Sequence, residues 1–300
     1  MTTQSHQISF TMEKKICLIT GANAGIGKAA AIQLAQAGHH VILGCRNSQR
    51  GQQALESVRA ASGSSGVSLL VLDMASQASI INAAQQVQRD HSGLDVLIHN
   101  AAAFDISQKT KQVTPEGIET VWATNHVGPV LLTDALLPAL KRSPQGRIIM
   151  IASKGLMMHP RLKIDLDDPE FANRKFSVPP AYYQSKLAQV MYTYWLAKEL
   201  ETTAITVNAI RVTNVKVDVS RYPDLGWLAK AAYSLKSRFS ISPEAMAETY
   251  TYLATDPALA MVTGAYFDEN RKQVSAGKYA ASARAQTRLM EVTQTYLRHA

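Results

Sequence analysis

Cysteine is nearly absent from this 300-residue chain: two occur, Cys17 and Cys45, each inside a short apolar run that reads as a buried strand. A disulfide framework is excluded, and buried free thiols acting as small hydrophobes suit a reducing compartment. No window approaches the roughly 18 uninterrupted apolar residues of a membrane span. The opening MTTQSHQISFTM has no basic stretch ahead of an apolar one, so no secretory leader is expected and residues 1–13 read as a flexible tail. The eight histidines show no metal-ligand spacing, and His39-His40 reads as a turn pair, so no metal site is expected. Lysine and arginine outnumber the acids by 31 to 23, a net +8, but the charge is dispersed, without a basic block or interleaved aromatics. Nucleic acid is therefore a poor candidate partner, and attraction to an anionic cofactor or substrate suffices. A soluble, cytoplasmic protein is expected.

With 46% hydrophobic and 18% charged residues, the composition is that of a packed globular chain. Strand-like runs KICLIT, HVILGC, SLLVLD, LDVLIHN, RIIMIAS and AITVNAI alternate with helical stretches over 24–37, 48–61, 76–91, a long segment up to residue 140, and 182–200. That alternation is the sequence form of successive βαβ units. Runs apolar on both faces fit parallel strands covered from each side, which predicts an α/β doubly wound (Rossmann) sheet, mostly parallel, of about seven strands. No repeat or Pro/Ser-rich linker divides the chain, so one domain is expected over 14–300. Two stretches break the rhythm, 154–180 and 217–240. Both leave C-terminal strand ends, where ligands of open α/β sheets bind, and they are expected to form the substrate region. In the second, Leu228, Ala231, Ala232, Leu235 and Phe239 fall at helical spacing, either as core packing or as the apolar face of a lid.

After the first strand comes TGANAGIG, with Gly21, Gly25 and Gly27 leading into an alanine-rich helix. Glycines there let the chain turn sharply and let a pyrophosphate approach main-chain N–H groups at a helix N-terminus. Such a turn alone is weak evidence; following a strand and opening a helix in the first βα unit, it is much stronger.

TGANAGIG resembles the Thr-Gly-x-x-x-Gly-x-Gly fingerprint of the short-chain dehydrogenase/reductase family. The ordered motifs HNAA at His99–Ala102, TNHVGPVLLT from Thr124, IAS ending at Ser153 and YYQSK at Tyr182–Lys186 extend the likeness from about Lys14 to Asn208. GCRNSQRG, KIDLDD and AYYQSKLAQVMYTYWLAKEL are most similar to the retinol-dehydrogenase-like branch. The resemblance implies a nicotinamide cofactor held by Gly21, Asn23, Ala24, Gly25, Ile26, Gly27, Arg46, Asp73, Met74, Asn100, Ala101, Tyr182, Lys186 and Val215, and a catalytic set of Asn125, Ser153, Tyr182 and Lys186. Two departures stand out: Asn-Asn-Ala-Gly reads HNAA, and the usual Pro-Gly after the sixth strand reads Val212-Thr213.

Tyr182 and Lys186 are spaced i,i+4 in a segment whose Leu187, Val190, Met191, Tyr194 and Trp195 recur with helical period, so both project from one face. A lysine ammonium near a phenol favours the phenolate and so is expected to lower the pKa of Tyr182, making it a usable acid/base. In the family's scheme Tyr182 protonates a carbonyl oxygen, Ser153 hydrogen-bonds it, Lys186 also holds the nicotinamide ribose, and Asn125 keeps its helix open for a relay water. Tyr183 lies one step round the helix, so the spacing selects Tyr182. Taken singly, each residue also has an ordinary structural reading: a surface pair, a strand-end hydroxyl, a helix-interior hydrogen bonder.

At the end of the second strand stands Cys45-Arg46, where a carboxylate would bind the adenosine 2′-OH of NAD and a base the 2′-phosphate of NADP. Arg46 offers a planar fork, Arg50 reads either as its assistant or as a solvated loop residue, and NADP(H) is the expected cofactor. Asp73 has two readings, the family's adenine contact or a cap of the next helix. Met157 and Met158 line the substrate pocket or pack in the core. The expected function is NADPH-dependent reduction of an aldehyde or ketone on a bulky, apolar small molecule. The alternatives are reduction of a carbon–carbon double bond and a non-catalytic NADP(H)-sensing scaffold. A homo-oligomer is compatible with either enzyme reading.

Overall fold

The computed structural model describes residues 14–216 and 240–297. The expected tail at 1–13, and the second irregular stretch at 217–240 apart from Ser240, lie outside the described residues.

Seven strands, β1 (Ile16–Thr20), β2 (His40–Cys45), β3 (Val67–Val71), β4 (Val96–His99), β5 (Arg147–Ser153), β6 (Thr206–Val212) and β7 (Ala265–Phe267), form one all-parallel sheet in the order β3-β2-β1-β4-β5-β6-β7. The doubly wound fold read from the sequence is borne out. Strand residues alternate between two apolar layers: Leu18, Ile42, Leu97, Ile148 and Met150 face one, Cys17, Ile19, Val41, Ile98 and Ile149 the other. On the first layer lie α3 (Gln77–Asp90), α5 (Gly128–Lys141) and α6 (Val178–Glu199); on the second, α1 (Gly25–Gln36), α2 (Ser48–Ser62) and the helix Pro243–Thr255. This two-sided burial is why the strands read as continuous apolar runs.

Local chemistry sets the helix ends. Asn47 caps α2 by accepting from the Arg50 N–H at 2.8 Å, and Ser76 caps α3 by accepting from Ser79 N–H at 3.3 Å. Gly63, at φ 68°, closes α2 in the left-handed conformation. The long helical segment expected up to residue 140 is interrupted. A short turn α4 (Thr120–Trp122) passes into a π-helical stretch, Ala123–Val127, before α5 begins with Pro129 in its first turn. His39 stands between the turn after α1 and the start of β2, where it is buried and its Nδ1 accepts from Lys15 N–H at 3.2 Å.

The irregular stretch 154–180 is firmly tied. It starts as a 3-10 turn, Lys154–Met158. Asp168 then accepts from the backbone N–H groups of Ala172 and Asn173 and from Arg174, Glu170 accepts from Glu119 N–H, and Gln184 donates to the Pro169 carbonyl.

Candidate active site

The strand order reverses between β1 and β4, and the glycine turn sits at that crevice. Gly21 and Gly25 adopt φ of 66° and 58°, which glycine tolerates without strain. A methyl group on Gly21 would stand 2.9 Å from the Ala101 Cα, and one on Gly27 only 2.4 Å from Asn100 Nδ2 and 2.9 Å from the Gly21 carbonyl oxygen. Asn100 explains the tightness. Its amide donates to the carbonyls of Thr20 (2.9 Å) and Gly21 (3.2 Å), while its Oδ1 accepts from the Tyr250 hydroxyl at 3.2 Å. Thr20 completes the seam, accepting from Ala101 N–H at 2.9 Å. The N-terminus of α1 carries no side-chain cap at Ala24, so its N–H groups and dipole face the crevice without a competing side chain. A dinucleotide pyrophosphate fits this cradle. Asn23, Ala24 and Ile26 lie partly exposed along it, and Arg46 is exposed just past β2, with no ion pair among the described residues.

Two strands over, β5 ends at Ser153, paired in register with Val212 of β6. The Ser153 hydroxyl accepts from Gly155 N–H at 3.1 Å and hydrogen-bonds Tyr182, which projects from the first turns of α6. Burial pushes the Tyr182 phenol up to about 12, with the Ser153 bond opposing and the neighbouring Tyr183 adding to the rise. Lys186, one turn on, is buried; its Nζ donates to the Ile151 carbonyl (2.7 Å) and to Gln189 Oε1 (2.9 Å), and desolvation pulls it down to about 7. The sequence-based expectation that the ammonium lowers the pKa of Tyr182 is therefore corrected. Nζ lies 5.6 Å from the phenol ring centroid, engaged elsewhere, and burial dominates both groups.

Asn125 sits fully buried in the π-helical stretch, whose widened turn is closed by the Gly128 N–H to Ala123 carbonyl bond. Its Oδ1 accepts from Ala103 N–H at 2.7 Å, and its Nδ2 donates to the Ala103 carbonyl at 3.1 Å and to Ser185 Oγ at 3.0 Å. It thus fastens the loop after β4 to α6. Asn125, Ser153, Tyr182 and Lys186 gather around the C-terminal ends of the central strands β4 and β5.

Comparison with known proteins gives this geometry its lineage. The short chain dehydrogenase family model matches residues 15–162. Human retinol dehydrogenase 13 is 35% identical over 269 residues, covering 89% of this chain and 80% of that protein, and human retinol dehydrogenase 14 is 36% identical over 277 residues, covering 87% and 80%. The chain belongs to the short-chain dehydrogenases. Within them it is retinol-dehydrogenase-like. L-Sorbose reductase from Gluconobacter frateurii, 22% identical, superposes with a TM-score of 0.68 over 88% of this chain and 96% of that one, sharing the fold.

The remaining sequence-expected positions of this dehydrogenase divide. Asp73 does not cap α3, a task Ser76 performs; its Oδ1 accepts from Ala75 N–H at 3.0 Å. Met74 is buried beneath the site, its carbonyl against Gly128. Val215 forms an isolated bridge with Ile241. Met157 and Met158 are 56% and 80% exposed, which excludes core packing for both. Sequence reasoning missed Thr20, Tyr250, Ser185, Gln189 and Phe104. Thr20 and Ser185 stand inside the quoted TGANAGIG and YYQSK motifs and could have been found there, whereas Tyr250 reaches Asn100 from 150 residues away.

Among the described residues no helix is long and apolar enough to cross a membrane. The Phe104 ring lies 4.3 Å, centroid to centroid, from that of Tyr182, and Tyr182, Ala103 and Phe176 pack against one apolar cluster of Val121, Phe171 and Ala181.

Proposed function

We propose that this dehydrogenase uses NADP(H) to reduce the carbonyl of a bulky, apolar small molecule, with Tyr182 as proton donor. The observation that carries the reading is the pairing of the Ser153 hydroxyl with a Tyr182 phenol that stays protonated through the neutral range, beside apolar Phe104 and Phe176. Bound nicotinamide would supply the hydride. Tyr182 Oη delivers the proton to the substrate oxygen, and Ser153 Oγ orients that oxygen. Lys186 Nζ, pulled down to about 7, exchanges protons readily near neutrality. Asn125 keeps α6 and the loop after β4 in register.

Gly21, Asn23, Ala24, Gly25, Ile26 and Gly27 would hold the pyrophosphate, and Arg46 the 2′-phosphate, since no carboxylate stands at the end of β2 to repel it. Asp73, Met74, Asn100, Ala101 and Val215 would border the rest of the cofactor. The names of the relatives, retinol dehydrogenases, support an alcohol/carbonyl pair on an apolar skeleton. Incubation with NADPH and a metabolite extract tests this: a gain of two hydrogens with loss of carbonyl reactivity is expected. Retention of the carbonyl with loss of an alkene would overturn it.

A further inference from the structure

Tyr182 has a second aromatic neighbour on α6, and that neighbour fills a place where a side chain is missing. A Cβ built on Gly155 would meet Tyr183 Cε1 at 2.5 Å, its hydroxyl at 2.9 Å and Cζ at 3.0 Å, so the ring edge occupies the space over the glycine. The ring also contacts the His159 imidazole, at 4.6 Å between centroids. Gly155 lies near the start of the 3-10 turn Lys154–Met158 and His159 is its C-cap. Tyr183 therefore plugs the inner side of the turn that Ser153 caps through the Gly155 N–H.

We propose that Tyr183 is a positioning residue, whose ring locks this turn onto α6 and so fixes the Ser153 hydroxyl against Tyr182. Adjacent residues on a helix point about 100° apart, so one element presents Tyr182 to the substrate and uses Tyr183 to set its partner. The ring, not the hydroxyl, does the holding. The inference deepens the carbonyl-reductase reading and rests on it for its kinetic consequence.

Two readouts test it. In protein labelled with 15N-glycine, the Gly155 amide, assigned by its disappearance in Gly155→Ala, should exchange with solvent at least about tenfold faster in Tyr183→Ala and at the wild-type rate in Tyr183→Phe. With NADPH and decanal as the probe aldehyde, Tyr183→Ala should lower kcat about tenfold or more while the Kd for NADPH stays within about threefold, and Tyr183→Phe should restore kcat. Gly155→Ala, which drives a methyl into the ring, should cost kcat comparably in the wild type but less than about twofold further when added to Tyr183→Leu, a non-additivity expected only of a direct contact. Should Tyr183→Ala fail to fold, that Gly155–Tyr183 cycle decides alone.

Unchanged Gly155 exchange in Tyr183→Ala, additive effects in the cycle, or loss of kcat in Tyr183→Phe each overturn the proposal. So does an equal fall of kcat and NADPH affinity, which marks a merely structural residue. If wild-type protein fails to oxidise NADPH in the presence of decanal and of other apolar aldehydes and ketones, the reductase reading fails, and the amide exchange still judges the contact.

Discussion

Burial raises the Tyr182 phenol further above its ordinary value, to about 12, and pulls the Lys186 ammonium down to about 7. The spacing of the two residues was legible in the sequence; their ionisation was not, because desolvation depends on β5 and the loop after β4, which no local pattern reveals. Arg46 is the opposite case, an exposed side chain whose meaning lies in its position after β2. In fluorescence titrations Arg46→Asp should weaken NADPH by about 2 kcal/mol or more, over tenfold, and leave NADH no weaker. Equal wild-type affinity for the two cofactors would contradict the NADP(H) assignment.

Elements meet here through missing side chains. Gly27 lets α1 close on Asn100, and Gly128 lets α5 start beneath the Met74 carbonyl, which a methyl group would meet at 2.3 Å. Replacing glycine inside a helix with alanine ordinarily stabilises by roughly 0.5–1 kcal/mol. Gly128→Ala should do the reverse, destabilising by about 1–3 kcal/mol in urea melts, because the neighbour is backbone and cannot swing away. Gly27→Ala should lower affinity for NADPH at least about tenfold with a smaller change in melting, since it distorts the cradle itself. The cradle was readable from its glycines. The π-helical break at Ala123–Val127 was not, since a widened turn leaves no local pattern of its own and serves the bonds of Asn125 to the distant Ala103 and Ser185. Nor was β7, which is three residues long and reads as a strand only beside β6.

Across the whole molecule, buried neutral histidines tie stability to pH. His99 and His126 are buried with Nε2 on Thr133 (2.8 Å) and Thr293 (2.7 Å), and desolvation pulls both down to about 3. Between about 6.5 and 3 the unfolded chain binds protons that the folded one does not, so stability is full above pH 6.5 and falls on acidification, by up to about 1.4 kcal/mol per pH unit for each histidine. Melting midpoints recorded from pH 7.5 to 4.5 should drop steeply below 6.5, and less steeply in His126→Gln. The sequence foretold the parallel sheet and the order of its motifs because both are written in local periodicity and spacing, whereas the closing of 154–180 onto α4 and α6 depends on long-range bonds such as Glu119 to Glu170. The central claim is that Tyr182 delivers the proton in an NADPH-dependent carbonyl reduction. Its most direct test is the turnover of Tyr182→Phe beside wild type with NADPH and an apolar aldehyde: kcat should fall by roughly 100-fold or more while NADPH affinity stays within a few-fold, and full activity in that variant would contradict the account.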